Sequence, residues 1–197
     1  PDGQARVVLQ PVALPGRHLL LPAESRLQPA GLHRLSASVR LGHDGGLSFP
    51  KVVATGRTVD LGEQVVSEIK AEGGDAIFVQ GDVSQKAQVD YLVERTVAHY
   101  GTIDIVVNNA GVNHSADFFD ITEEDWDWVM GVNVGGVING VQTWIQRLKA
   151  HGEGGHIVNT ASMAGVATSP GLGVYNTSKF AVVGLSEALR EDLAASG

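Results

Sequence analysis

The sequence predicts an α/β fold in which a doubly wound parallel sheet carries helices on both faces. From Lys51 onward, short apolar runs alternate with longer segments of helical periodicity, which is the pattern of βαβ units. The apolar runs have the length and composition of buried parallel strands, and glycines end the predicted helices. No internal repeat or low-complexity segment interrupts this alternation in residues 51–197.

The elements follow from the two periodicities. Strands are predicted at 52–54, 76–80, 103–107 and 156–158. Helices are predicted at 61–69, 92–97, 122–150 and 174–195. Thr122 and Asp125 have the spacing of a capping box at the start of the third helix. In the last helix we expect five apolar side chains to point largely inward: Phe180, Val183, Leu185, Leu189 and Leu193.

Composition limits the possible functions. Residues 51–197 hold five Lys and four Arg against nineteen Asp and Glu, a formal charge of −10, which argues against binding to nucleic acid or an anionic membrane. Cysteine is absent, so the chain offers neither disulfides nor thiolate metal ligands. The longest early apolar run, Leu19–Leu21, is too short for a membrane span or a secretion signal. We therefore expect a cytoplasmic protein.

The first fifty residues differ from the rest. They contain six of the seven prolines and five Arg but no Lys. Repeated prolines argue against helices, and residues 7–9 form the only plausible strand. Gly42, Gly45 and Gly46 lack the spacing of a phosphate-binding loop. We predict a domain at 51–197, preceded by an unassigned and irregular segment at 1–50.

Three residues in the second half suggest proton-transfer chemistry. Tyr175 and Lys179 are four residues apart, which places them on one face of a helix. A phenol is a poor acid or base at neutral pH until a nearby cation stabilises the phenolate, and Lys179 could supply that cation. Ser162 follows a predicted strand, at the edge where open α/β sheets bind ligands. Its hydroxyl could donate a hydrogen bond to a substrate oxygen that becomes negative during the reaction.

Further residues complete a family pattern. Asn108-Asn109-Ala110-Gly111 follows another strand, and Asn133 lies in the long helix. In this order and spacing, with Ser162, Tyr175 and Lys179, the sequence resembles the short-chain dehydrogenase/reductase family over residues 51–197. The resemblance implies a Rossmann-like fold, and a reaction in which a nicotinamide cofactor exchanges hydride with the carbonyl or alcohol carbon of a small molecule.

The resemblance also implies a role for each residue. Tyr175 is the general acid or base, Ser162 orients the carbonyl, Lys179 also holds the nicotinamide ribose, and Asn133 helps to place a water molecule next to Lys179. The remaining cofactor contacts are expected at one strand end and at a pair of residues that meet the adenine: Asn109, Ala110, Gly111, Asp82 and Val83.

The cofactor preference is read after strand 52–54. Gly56 stands where an NAD-preferring member would carry Asp, and Arg57 follows it. A basic residue there can accept the 2′-phosphate of the adenosine ribose, so NADP(H) is favoured and NAD(H) remains possible. An exposed arginine with no such role is the competing interpretation.

The family pattern breaks at both ends. The opening strand and glycine motif of the family are absent or replaced, since no second or third glycine follows Gly31 at the required spacing. We therefore expect a sheet that lacks its centre. The family's last strands and closing loop would follow Gly197, so we expect a truncated protein with poor stability and weak or no activity. One hypothesis is that residues 1–50 are an out-of-frame translation.

Two functions remain open. The first is an NAD(P)-dependent oxidoreductase, whose intact relatives form homo-dimers or homo-tetramers. The second is an inactive remnant that only associates with intact homologues. A metal site is not expected, because His99, His114, His151 and His156 have no partner at ligand spacing, and no Gly-x-Ser-x-Gly supports a hydrolase. The residues suggested to line a substrate pocket are Val112, Asn113, Met163 and Leu172.

Overall fold

The computed structural model describes residues 6–9, 40–41, 47–48, 51–150, 152 and 154–195. The strands are β1 (Arg6–Leu9), β2 (Arg40–Leu41), β3 (Leu47–Ser48), β4 (Lys51–Gly56), β5 (Asp75–Gln80), β6 (Ile105–Asn108) and β7 (His156–Asn159). The α-helices are α1 (Val59–Ala71), α2 (Lys86–Tyr100), α3 (Glu123–Met130), α4 (Gly136–Ala150) and α5 (Gly173–Ala195). A π-helical segment at Gly131–Gly135 joins α3 to α4, and short 3₁₀ helices lie at Phe118–Asp120 and Met163–Gly165.

Five strands form one parallel sheet in the order β5-β4-β1-β6-β7. The reversal of strand order at β1 is the mark of a doubly wound sheet, so the predicted fold class is confirmed. The four strands predicted after Lys51 are all present, with every end within two residues of the prediction. A separate antiparallel pair is formed by β2 and β3.

The expectation that the sheet lacks its centre is wrong. β1 occupies the central place, where Val8 pairs with Val53 on one side and with Val106 on the other. The sequence run Val7-Val8-Leu9 is apolar and begins with two β-branched residues, as suits a strand paired on both edges. Its place could not be read from the sequence, because the glycine pattern that normally follows such a strand is missing after it.

Helices cover both faces of the sheet. On one face, β4 and β5 pack against α1 in a buried cluster of Val52, Ala54, Val65, Val66, Ile69 and Ala76. On the other face, α2 and α4 pack against the sheet around Val53, Val79, Leu92, Val93, Ile103, Val106, Trp144 and Leu148. Neighbouring residues of β4 thus point to opposite cores. Each buried aliphatic side chain contributes about 1.5–3 kcal/mol relative to an exposed one.

The long helix expected at 122–150 is one continuous segment with a defect. Its capping box is confirmed, since Thr122 Oγ1 accepts the Asp125 N–H and the Asp125 carboxylate accepts the Thr122 N–H. Five residues of π-helix then separate α3 from α4. Such segments widen a helix by one residue and occur frequently at functional sites.

The last helix is present as predicted, but the prediction that five of its apolar side chains point largely inward is only partly right. Phe180 is 44% exposed and Leu193 is 37% exposed, whereas Val183, Leu185 and Leu189 are half-buried. Periodicity shows which residues share a helix face, but it does not show how much of that face another element covers.

Within the described part of the chain, no helix is long and apolar enough to cross a membrane. The Gly31, Gly42, Gly45 and Gly46 positions discussed above lie outside the described residues. The division of the chain at residue 50 and the out-of-frame hypothesis therefore stay predictions.

Candidate active site

The carboxyl ends of β6 and β7 are joined by side chains. Asn108 Nδ2 donates to Asn159 Oδ1 at 2.9 Å, and Thr160 Oγ1 donates to Asn109 Oδ1 at 2.9 Å. The Thr160 N–H also donates to the Asn108 carbonyl at 3.0 Å. Asn109 and Thr160, the residues just past β6 and β7, are thus bonded to each other, and Thr160 is also bonded to β6. These hydrogen bonds fix the two strand ends relative to each other. Together with α5 and the π-helical segment, we call this edge of the sheet the catalytic end.

Lys179 lies inside the catalytic end. It is only 4% exposed, and its Nζ donates to the Thr160 carbonyl at 2.8 Å. The same Nζ lies 5.7 Å from the ring centroid of Tyr175, within the range of a cation–π contact. Removal from water disfavours the charged amine, so burial lowers the pKa of Lys179. The helix thus brings an ammonium group to the tyrosine, as the four-residue spacing predicts.

Asn133 lies in the π-helical segment and is almost fully buried. Its Oδ1 accepts the Val112 N–H at 2.7 Å, and its Nδ2 donates to the Val112 carbonyl and to Ser178 Oγ, both at 2.9 Å. Ser178 Oγ in turn donates to the Tyr175 carbonyl at 2.7 Å. Asn133 therefore links the loop after β6 to the backbone of the helix that carries Tyr175 and Lys179.

Gly111 brings these groups together. A Cβ added to Gly111 would lie 3.5 Å from both Asn133 Oδ1 and Lys179 Nζ. The loop after β6 is thus in van der Waals reach of the buried amide and the buried ammonium at once. A larger side chain at this glycine would fill the space beside both groups.

Ser162 stands at the start of the 3₁₀ helix Met163–Gly165, where its backbone is extended. Its Oγ accepts the Ala164 N–H at 3.1 Å, which fixes the oxygen. None of the described residues accepts the hydroxyl proton of Ser162 in a hydrogen bond. The hydroxyl is half-buried and can donate to a ligand oxygen.

The predicted adenosine contacts lie at the other side of the same edge, after β4 and β5, which we call the nucleotide end. Asp82 Oδ1 accepts from the N–H and hydroxyl of Ser84, and Asn139 Nδ2 donates to the Val83 carbonyl. Val83 is buried against Gly136, whose Cβ position lies 2.7 Å from Val83 Cγ2.

Arg57 is also part of the nucleotide end. Its carbonyl accepts a hydrogen bond from Gln80 Nε2 at 3.0 Å, while its side chain is exposed. No carboxylate of the described residues lies within ion-pair distance of its guanidinium. Two strands, β1 and β6, separate β4 from β7, so Arg57 is far along the edge from the Ser162 segment.

The residues predicted to line a substrate pocket differ in their burial, and one of the histidines lies beside a carboxylate. Val112 is buried in a core cluster with Val129 and Val174, so it supports the site from beneath and does not line a pocket. Met163 is mostly exposed. His114 Nδ1 lies 3.4 Å from Asp125 Oδ1, and the hydrogen bonds from Thr122, with a smaller contribution from His114, lower the pKa of Asp125. No group of three or more His, Cys, Asp or Glu side chains in the described ranges could hold a metal ion.

Sequence reasoning missed the residues that support the site, namely Thr160, Asn176 and Ser178. Ser178 could have been noticed, because it stands between Val174 and Val182 at helical spacing on a face that is otherwise apolar. A small polar residue at such a position needs an internal partner.

Comparison with known proteins decides the family. Residues 47–197 match the family described as short chain dehydrogenase. The chain belongs to the short-chain dehydrogenase/reductase family. This match covers both ends of the candidate site and the strands β4 to β7, but not the central strand β1.

Several relatives of the short-chain dehydrogenase/reductase family can be compared with the chain. A "Probable oxidoreductase EphD" of Mycobacterium tuberculosis is 42% identical over 161 residues, which are 80% of this chain and 27% of the relative. An "NADP-dependent (R)-specific alcohol dehydrogenase" of Lentilactobacillus kefiri is 41% identical over 145 residues, 73% of this chain and 57% of the relative.

A solved structure covers the whole chain. A short-chain dehydrogenase/reductase from Burkholderia phymatum in complex with NAD has a TM-score of 0.76 and 30% identity, and the match covers 100% of this chain and 63% of the other. The chain spans between 27% and 59% of the length of the first curated relatives that it matches.

Proposed function

We propose that the protein is an NAD(P)-dependent oxidoreductase that interconverts a small carbonyl compound and the corresponding alcohol, with Tyr175 as the general acid or base. The observation that carries this proposal is the buried ammonium of Lys179, which lies 5.7 Å from the Tyr175 ring and is anchored on the Thr160 carbonyl. Burying a cation costs free energy, so a buried cation beside a phenol that it can stabilise as the phenolate is a candidate functional group.

The residues present fit a nicotinamide cofactor. The loop at Gly111 lies within van der Waals reach of Lys179 and Asn133, and the glycine adds no side chain where a flat ligand would approach the backbone. Lys179 would hold the nicotinamide ribose, the loop Asn109–Gly111 would lie along the cofactor, and Asp82 with Val83 would meet the adenine. When bound, the nicotinamide would supply or accept the hydride.

The side chains of the catalytic end would handle the proton and the substrate oxygen. Ser162, whose hydroxyl proton has no acceptor among the described residues, would donate a hydrogen bond to the substrate oxygen. Tyr175 would give a proton to that oxygen in reduction, or take it in oxidation. General acid–base help of this kind is worth about 10²- to 10⁴-fold in rate.

Asn133 would act on the Lys179 side of this proton path. Its side chain is occupied by Val112 and Ser178, so its contribution through the side chain is to hold the loop after β6 against α5. The placing of a water molecule beside Lys179 is the further role that the family resemblance suggests for this residue.

We propose NADP(H) as the preferred cofactor. The support is the exposed guanidinium of Arg57 at the end of β4, together with Gly56 in place of an acidic residue. An arginine recognises a phosphate with charge-assisted hydrogen bonds, and Gly56 offers no carboxylate to bind a ribose hydroxyl. Similar proteins include one named as NADP-dependent and one in complex with NAD, so both cofactors occur among them.

The substrate class is proposed from the same comparisons. One similar protein is an alcohol dehydrogenase, and a "Diacetyl reductase [(S)-acetoin forming]" of Staphylococcus aureus is 42% identical over 116 residues, 59% of this chain and 45% of that protein. Small ketones and secondary alcohols are therefore the first compounds to test. A homo-oligomer is the proposed assembly.

The experiment is a cofactor titration followed by turnover. We expect NADPH at micromolar levels to raise the unfolding temperature of the full chain, and a panel of small ketones to oxidise NADPH measurably. The Tyr175→Phe variant should bind NADPH as the wild type does and should turn over about 10²- to 10⁴-fold more slowly. Absence of any thermal shift with millimolar NADPH or NADH would contradict the enzyme proposal and favour a remnant without activity.

A further inference from the structure

The segment that carries Ser162 is a compact turn of residues 162–167, which we call the Ser162 turn. Inside it, Ser162 Oγ accepts the Ala164 N–H, the Gly165 N–H donates to the Ser162 carbonyl, and the Ala167 N–H donates to the Met163 carbonyl. These bonds give the turn its shape. They do not fix its distance from α5, on which Tyr175 lies, so a contact between the two must do so.

Asn176, the residue after Tyr175, makes that contact. Its side-chain Nδ2 donates to the Ala164 carbonyl at 3.0 Å and to the Ala167 carbonyl at 2.9 Å. Both hydrogens of the amide are thus used on the Ser162 turn. The side chain is 4% exposed, so water does not compete for these bonds.

The other end of this amide supports the same interpretation. Asn176 Oδ1 is buried and has no hydrogen-bond partner among the described residues. Reversing the amide would place that oxygen against two carbonyls, so the observed orientation is the favourable one. Burial of an unpaired carbonyl oxygen costs free energy, which the two donated bonds must offset. The residue therefore serves the turn through its donors.

A second contact lies about one helical turn further along α5. A Cβ added to Gly165 would lie 2.7 Å from the Lys179 carbonyl oxygen and 3.0 Å from Val183 Cγ2, so the backbone of the turn rests directly on the helix. Asn176 holds the turn from one side and Gly165 permits its close approach on the other. Two points of contact set both the distance and the rotation of the Ser162 turn.

From this geometry we propose that Asn176 is a positioning residue, which fixes the Ser162 hydroxyl relative to the Tyr175 hydroxyl so that both address one substrate oxygen. The inference rests on the proposed oxidoreductase function. In the proposed role, Asn176 contacts neither substrate nor cofactor and acts only through Ser162. Small displacements of a group that must orient a substrate are costly, since an error of about 1 Å can lower a rate by about 10²-fold.

The first test does not depend on activity. Amide hydrogen exchange is measured on the full chain for the wild type, Asn176→Ala, Asn176→Ser and the control Thr177→Val, which changes an exposed neighbour. We expect the amides of residues 164–167 to exchange at least about tenfold faster in both Asn176 variants, because local opening no longer breaks two hydrogen bonds. Amides of β6 and the control should be unchanged. Unchanged exchange at 164–167 in the Asn176 variants would overturn the proposal.

The second test separates positioning from general destabilisation. In a double-mutant cycle with Ser162→Ala, we expect Asn176→Ser alone to lower kcat by about tenfold or more with little change in KM for the cofactor. In the Ser162→Ala background the same substitution should cause no further loss, because Asn176 acts through Ser162. Additive losses would overturn the positioning role. An inactive wild type would contradict the proposed function, while the exchange data would still decide whether Asn176 holds the turn.

Discussion

The catalytic end and the nucleotide end lie on the same edge of the sheet but are built differently. At the catalytic end, Asn133, Ser178 and Lys179 are buried, and each makes at least one hydrogen bond of 2.9 Å or shorter. At the nucleotide end, Arg57 is exposed, and among the residues that the structure describes its side chain has no hydrogen-bond partner, while its carbonyl accepts from Gln80.

The two ends should tolerate substitutions to different degrees. A buried polar group that loses its partner costs about 1–3 kcal/mol, so the groups of the catalytic end depend on one another. An exposed side chain can change at little cost to the fold, because water replaces what it loses. The groups proposed for the reaction are therefore constrained by the interior, whereas the residue proposed to select the cofactor lies at the surface.

The largest expected effect is at the catalytic end. Tyr175→Phe removes one hydroxyl and keeps the ring beside Lys179, so we expect kcat to fall by about 10²- to 10⁴-fold with cofactor affinity nearly unchanged. The loss is followed by the absorbance of the reduced nicotinamide. Tyr91→Phe, at an exposed position of α2, is the matched control and should keep full activity. A Tyr175→Phe variant with more than a tenth of wild-type kcat would contradict the assignment.

Gly140 tests the packing beneath the catalytic end. A Cβ at this position would lie 2.0 Å from Oδ1 of Asn108, a buried side chain that is also bonded to Asn159. We expect Gly140→Ala to lower the free energy of unfolding by about 1–3 kcal/mol, measured by urea denaturation.

The control substitution is expected to change the free energy of unfolding in the opposite direction. Gly184 lies in α5 with nothing within 4 Å of its Cβ position, so Gly184→Ala should raise stability by about 0.5–1 kcal/mol, as helix propensity predicts. Equal changes at the two glycines would show that Asn108 is not held as described.

Much of this fold could be predicted from periodicity, because strands and helices after Lys51 are specified by local pattern. The capping box of Thr122 and Asp125 and the pairing of Tyr175 with Lys179 on one helix face are local in the same sense. Each depends on residues that lie within one turn of each other.

Other features could not be predicted, because they depend on distant partners. β1 is central only because β4 and β6 pair with it, and its run Val7-Val8-Leu9, although recognisable as a strand, does not show which strands it pairs with. Asn176 is functional only if residues 164 and 167 fold back onto it. The exposure of Phe180 was misjudged for the converse reason, since no described element covers it fully.

A smaller effect is expected at the nucleotide end. Arg57→Ala should weaken binding of NADPH by about tenfold, equivalent to about 1.4 kcal/mol, and leave binding of NADH unchanged. Isothermal titration at two salt concentrations checks this, because an exposed charge pair is screened by salt. Arg95→Ala, on an exposed part of α2, should change neither affinity. Equal weakening of NADPH and NADH binding would mean that Arg57 does not recognise the 2′-phosphate.

The smallest expected effect is on the pH dependence of the free energy of unfolding. Burial lowers the pKa of Lys179 in the folded chain, so the unfolded chain binds this proton up to a higher pH than the folded chain does. The free energy of unfolding should therefore increase as the pH rises towards 10.5, the ordinary pKa of lysine. Burial, with a smaller contribution from Asp75, raises the pKa of Tyr100, and this acts in the opposite sense, lowering stability above about pH 10.

Comparison with Lys179→Met separates the two groups, because Tyr100 is common to both chains. The difference in unfolding free energy, wild type minus Lys179→Met, should increase with pH below 10.5 and then level off. A flat difference would mean that Lys179 is as well solvated as the exposed residues of the nucleotide end. The catalytic end and the nucleotide end would then not differ in the burial of charge. The proposed role of Lys179 beside Tyr175 would lose its support, because that role rests on the burial of its ammonium group.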